Sequence, residues 1–228
     1  MASGSGSGLG SGYWSQREEE GEEKLGERLK RAWRNEKASP DILHFHSELV
    51  QEATEEIQKL EEAVEAFTEN GAKAENGVDE LIVSLYQMDL DRMLFLLRSY
   101  LRMRLQKIEK YTIHVLKTNL RDRLSEQEKT FAERCADIME KHLDQTVLAR
   151  LPYGYQSIMK QSISSEEDDM IPEPQLDTFV FCKTKEDVGA FQMDDIGKET
   201  IDLLANDLYV LRYKSIKGLV EGGQIDLV

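Results

Sequence analysis

The stretch "LFLLRSYLRMRLQKIEKY", residues 94–111, decides how the rest of the chain is read. Six apolar residues besides Tyr100 fall in its first ten, with Arg98 and Arg102 set among them and Arg104 directly after. A helix that faces one core keeps its apolar residues on one stripe. Projected at about 100° per residue, Leu90, Leu94, Leu97, Leu101, Leu105 and Ile108 form such a stripe, widened on one side by Tyr86, Met93 and Tyr100. Leu96 and Met103 fall nearly opposite it, with Phe95 and Met88 between. The spacing predicts a helix over residues 78–116 with a main apolar stripe and a second, separate patch. Such a helix is either the centre of its own bundle or meets another chain with its second face.

The same stretch sets the electrostatics. Residues 87–111 carry six basic and three acidic side chains, while the whole chain has a formal net charge of −15. Arg98 and Arg102 are i,i+4 neighbours. On a solvated face they would take part in helix pairs worth about 0.2–0.5 kcal/mol each. The sharper reading is that Arg98, Arg102 and Arg104 meet carboxylates of partner helices, because the guanidinium fork binds carboxylates bidentately and stacks on rings. Leu96 and Met103 would then give that interface its apolar centre, with Tyr100 also counted among the interface residues. The overall negative charge argues against a chain that binds nucleic acid by itself, since such binding neutralises phosphates with Lys and Arg.

Around this helix the period stays helical as far as residue 150. Leu25, Leu29, Ala32 and Trp33 predict a helix over 25–37, ended by "ASPD" because Pro40 pushes Ser39 out of the helical region. Val50, Ala53, Ile57, Leu60, Val64 and Phe67 predict a second, with Ser47 as N-cap. "ENGAKAENG", with two Asn-Gly pairs, predicts a loop. "SEQE" at Ser125 is a capping box that opens a further helix running to about Arg150. Residues 1–24, Gly/Ser-rich and then acidic, predict a disordered tail, and residues 151–176, in which "ISSEEDDMIPEPQLD" holds four carboxylates in a row and two prolines, a solvated linker. Ser164 and Ser165 each have an acidic residue three places on, a weak resemblance to an acidophilic kinase site.

Beyond residue 176 the period changes. "DTFVFCKT", "ETIDLL" and "DLYVLRYK" read as short strands, "SIKGLVEGG" as a helix closed by Gly222 or Gly223, and "QIDLV" as a last strand tied into a sheet. The fold class is therefore α+β, a helical domain over 25–150 followed by a small β-rich domain over 177–228. About 50 residues make a marginal core, so the small domain is expected to lean on something larger. Tyr209, Leu211, Tyr213, Ile225 and Leu227 are the residues expected to dock it on a neighbour, on the tether of the acidic linker.

The residues predict no chemistry. There is no GxxxxGK[ST] loop and no GxGxxG after a strand. His44 and His46 lack a third metal ligand nearby, and Cys135 and His142 stand two helical turns apart, outside hydrogen-bond reach. Cys135 and Cys182 are too few for a disulfide framework, and no window approaches the length of a membrane span. The expectation is a soluble intracellular protein without catalytic site, cofactor, metal or small-molecule substrate.

Four stretches, "RLKRAWRNEKASPDIL", "QMDLDRMLFLLRSYLRMRLQKIEKY", "LDTFVFCK" and "DLYVLRYKSIKGLVEGGQIDLV", occur in the order in which the Sld-five type of GINS complex subunit carries them, and the chain resembles that family from Leu25 to Val228. The resemblance implies a helical A-domain followed by a β-rich B-domain, in a heterotetramer with three other GINS subunits. It also implies that the tetramer joins the MCM ring and a RecJ-like companion as the replicative DNA helicase, in the nucleus, with DNA reached only through the assembly. The alternative is a free-standing homo-oligomeric helical adaptor with a regulatory β-module.

Overall fold

A computed structural model describes residues 23–71, 78–158, 171–193 and 200–228. The tail to residue 22, residues 72–77 of the Asn-Gly loop, and Ser164 and Ser165 lie outside the described residues. Five helices come first: α1 (Leu25–Ala38), α2 (Ser47–Gly71), α3 (Val78–Lys110), α4 (Thr112–Lys117) and α5 (Glu126–Thr146), with short 3-10 turns at Asn119–Arg123 and Leu148–Arg150. A β-rich module follows: β1 (Phe179–Thr184), β2 (Gly189–Gln192), β3 (Thr200–Leu203), β4 (Leu208–Arg212), α6 (Tyr213–Glu221) and β5 (Ile225–Leu227). This is the expected α+β architecture.

The local signals act as the chemistry dictates. Ser39 has extended backbone at the end of α1, as a residue before proline should. Ser125 caps α5 with both halves of the capping box made: its hydroxyl accepts from Glu128 N, and the Glu128 carboxylate accepts from Ser125 N. At the end of α6, Gly223 N donates to Val220 O and Gln224 N to Leu219 O, a Schellman closure with Gly223 at φ +74°. Three expectations shift. Ser47 is the first residue of α2, not its cap, and Val50 N bonds to His46 O. The long helix breaks at Tyr111, so 112–117 is a separate turn of helix. Strand β2 has no counterpart in the sequence reading, because "GAFQ" offers one apolar residue of note among four.

Helices α1 and α2 both pack on α3, from two sides. That accounts for the breadth of its apolar arc. Leu90, Met93, Leu96, Leu97 and Tyr100 are all buried with Leu29 and Ala32 of α1 and Leu49, Ala53 and Ile57 of α2. Leu96 therefore belongs to the chain's own core and not to a face for another chain. The spacing is right, but α1 covers the patch: Trp33 Nε1 donates to Ser99 Oγ (2.9 Å) and its ring meets Phe95 edge-on.

The strands form a three-stranded antiparallel sheet in the order β4-β1-β5, and β2 and β3 pair separately. Cys182 stands opposite Tyr209 and Leu227, and Val180 opposite Leu211. The inner face of the sheet, α6 and Leu43 of the α1–α2 connector share one core.

Candidate interaction surface

The connector from Ser39 to Phe45 determines how the parts are joined. Ser39, Asp41, Ile42 and Leu43 are buried but belong to no helix or strand, so their peptide groups need partners from elsewhere. Cationic side chains supply them. Arg104 Nη1 donates to Leu43 O (2.8 Å), Lys107 Nζ to Asp41 O (2.8 Å) and Arg123 Nη1 to Ile42 O (3.1 Å). Phe45 N is satisfied by Arg123 O (2.9 Å).

Arg104 is completely buried and all five of its N–H donors are used. Nε and Nη2 make a bidentate pair with Glu128 (2.7 and 3.0 Å), Nη1 reaches Glu36 Oε2 (2.9 Å), and the Leu43 and Arg123 carbonyls take the remaining two. The guanidinium also lies over the rings of Phe45 and Tyr100. Burial alone would depress its pKa, but the hydrogen bonds it donates to Glu128 and the charge of Glu36 outweigh that, and the group is held above its ordinary value. Burial lifts the Tyr100 phenol to about 12, against the pull of Arg104. Burial also pulls Lys107 below the usual lysine range, with Glu36 opposing it.

The network continues into the β-module. Asp41 Oδ1 accepts from Ile42 N and Oδ2 from Lys217 Nζ of α6 (2.6 Å), while Arg123 pairs with Glu221 (2.7 Å). Tyr213 Oη and Ser39 Oγ are hydrogen-bonded at 3.0 Å. Asn35 of α1 accepts from Leu227 N (2.7 Å) and donates to Asp226 (3.2 Å), so its amide occupies the free edge of β5 as a neighbouring strand would. In all, Arg104, Lys107, Arg123 and Lys217 balance Glu36, Asp41, Glu128 and Glu221.

Two sets of expected interface residues are thereby corrected. Arg104 and Tyr100 do not face a partner; Arg104 meets carboxylates of its own chain because α1 and α5 bring Glu36 and Glu128 to it. Leu211, Tyr213, Ile225 and Leu227 are the inward set of the module, at most 4% exposed, and Tyr209 turns its hydroxyl to Leu204 N and Asp202 O. The strands were legible but the face was not: the outward residues are the alternate ones, Phe179, Phe181, Leu208 and Val210. The module is also held on the helices of its own chain and does not hang on its linker.

What is exposed on the helices is different from the patch expected there. Leu81 (61%), Leu85 (53%), Met88 (63%) and Phe95 (60%) follow one another at helical spacing along the outer side of α3. Arg98 and Arg102 continue toward the C-terminal end of the same side, both exposed and without a carboxylate in salt-bridge reach among the described residues. Met103 is half-buried beside them. Sequence reasoning missed Leu81 and Leu85 because it weighed only residues from Tyr86 onward. No group of His, Cys, Asp and Glu among the described residues could hold a metal ion, and His44 and His46 lie exposed ahead of α2.

Comparison with known proteins gives the arrangement a context. Residues 51–147 match a family model described as the GINS complex protein helical bundle domain, and residues 174–228 one described as the C-terminus of the DNA replication complex GINS protein SLD5. The chain is similar to proteins of that second name from Arabidopsis thaliana (53% identical, covering 89% of this chain and 90% of the relative), Dictyostelium discoideum (32%, 89% and 90%) and Homo sapiens (33%, 89% and 88%).

Proposed function

This chain belongs to the SLD5 family of GINS complex proteins, and on that premise we propose that it takes its place among the other GINS subunits through the outer side of α3. It is the SLD5 subunit of a DNA replication complex and a non-catalytic, structural component of it. The observation that carries the interface is the set Leu81, Leu85, Met88 and Phe95 along one face, interrupted by the exposed Asp91 and Arg92, and followed by Arg98 and Arg102, unpaired among the described residues. An exposed apolar stripe of this length marks an interaction site. The two arginines add a demand for carboxylates on the partner, with Met103 at the margin.

Membership of the family supports the rest of the proposal. The chain divides into a helical A-domain over 25–150, a linker over 151–176 and a B-domain over 177–228. The assembled complex joins the MCM ring and a RecJ-like companion, acts in the nucleus, and brings this acidic chain to DNA only as part of the assembly.

The test is co-expression with the three other GINS subunits, read by native mass. Leu85→Glu with Phe95→Glu removes the apolar centre at two exposed positions, with only the edge contact of Phe95 on Trp33 lost from the chain's own packing. Each such hot-spot loss costs about 2 kcal/mol or more, so the double change should weaken assembly by about 700-fold or more. A normal yield of tetramer from that variant would refute the assignment.

A further inference from the structure

The β-module meets its own helices through groups that are incomplete on either side alone. The helical side offers Asn35 of α1 and the buried connector residues Ser39, Asp41 and Leu43. The module side offers Tyr213 and Lys217 of α6 and the edge of β5. Partners across this joint are 174 to 192 residues apart in the chain, so no local segment makes the contacts. Asp41 is 1% exposed, and a buried carboxylate is costly unless it is paired. From its own side it has Ile42 N and, at 3.5 Å, Arg123. The close cation, Lys217 Nζ at 2.6 Å, comes from the module. In return the module's β5 edge takes both ends of the Asn35 amide, and its core takes Leu43.

We infer that Asn35 and the connector form a receptor that holds the β-module non-covalently, so that the two parts remain one complex when the chain between residues 158 and 171 is cut. A short flexible tether adds only an effective concentration in the range of about 1 mM. Opening this joint strips Asp41 of its close cation and leaves the Leu227 amide without an acceptor, and both costs persist whether or not the tether is intact. The inference rests on contacts inside this chain and is independent of the α3 assignment.

In the test, a sequence-specific protease site is introduced within residues 159–170 and the folded chain is cut. At about 10 µM, a hundredfold below the millimolar range of a tether, native mass should show one species at the summed mass of the two fragments. Amide protection of Phe179–Thr184 should match that of the uncut chain. Fragments that separate at that concentration overturn the inference. Lys217→Glu sets a second carboxylate against Asp41 and should weaken the cut pair at least about 30-fold. Lys183→Glu makes the same change of charge on the outward side of β1 and should leave the affinity where it was. Equal weakening by the two would mean general repulsion between acidic fragments and would overturn the receptor. Should Lys217→Glu lose protection of β1 before the cut, Lys217→Gln decides: a tenfold weakening supports the contact, and an unchanged affinity refutes it.

Discussion

Replacing Arg104 with alanine will destabilise the isolated chain by about 3–5 kcal/mol, the cost of breaking a buried ion pair from one side. The change leaves two carboxylates behind, Glu36 with 1% and Glu128 with 7% of its side chain exposed. It also leaves the carbonyls of Leu43 and Arg123 without donors. Domains of this kind have about 5–15 kcal/mol of stability in total, so the effect is large. Lys107 can still reach Glu36, but nothing replaces the bidentate partner of Glu128. Urea unfolding of the chain without its partners measures the loss, because binding would otherwise mask it. Arg104→Lys should recover only part, since an ammonium has three donors in place of five. Arg104→Met combined with Glu36→Gln and Glu128→Gln should recover more than Arg104→Ala retains, because it removes charges together. A midpoint for Arg104→Ala within about 1 kcal/mol of the parent would mean that the pairs contribute little beyond their own desolvation.

The second large effect is expected from the other end of the chain. Deletion of residues 224–228 should unfold the β-module and weaken assembly. Ile225 and Leu227 are at most 1% exposed, and burying two such side chains contributes about 3–6 kcal/mol. The deletion also removes the strand that covers one edge of β1 and the amide that Asn35 holds. A module of about 50 residues has little in reserve. Hydrogen exchange should show β1 and β4 unprotected while the middle of α3 stays protected, because Leu96, Leu97 and Tyr100 keep their own core. Persistent protection at Phe179–Thr184 would show that the ion pairs around Asp41 hold the module without β5.

These two results bear on one architectural point. The contacts of Asp41, Ser39 and Asn35 make the β-module part of the same folded body as the helices. The connector at 39–45 is the joint, and the cations that satisfy its carbonyls come from α3 and the turn after α4. Burying an ion pair in place of apolar residues gives no clear gain in stability. The charges here instead satisfy an irregular buried backbone, which apolar side chains could not do.

Read by itself, the sequence determined a good deal of this. Local rules settle local questions: the capping box at Ser125, the proline that ends α1, the glycine that closes α6 and the strand at the C-terminus follow from the chemistry of neighbouring residues. The order of helices before strands follows from the change of period near residue 177. Four stretches in register were enough for the family.

Only the tertiary structure decided which side of each element is covered. Periodicity places residues on faces, but it does not name the neighbour. Leu96 and Phe95 are adjacent in sequence, and α1 buries the first and leaves the second mostly exposed. Arg98 and Arg104 looked alike as candidates, yet Arg104 is enclosed by Glu36 and Glu128, which lie 68 and 24 residues away in the chain. In β1 and β4 both faces are apolar, so a period of two yields two equally apolar sets, and the packing of α6 and Leu43 alone selects the inner one. Burial is a property of pairs of elements, and the information that brings distant elements together is distributed over the whole core.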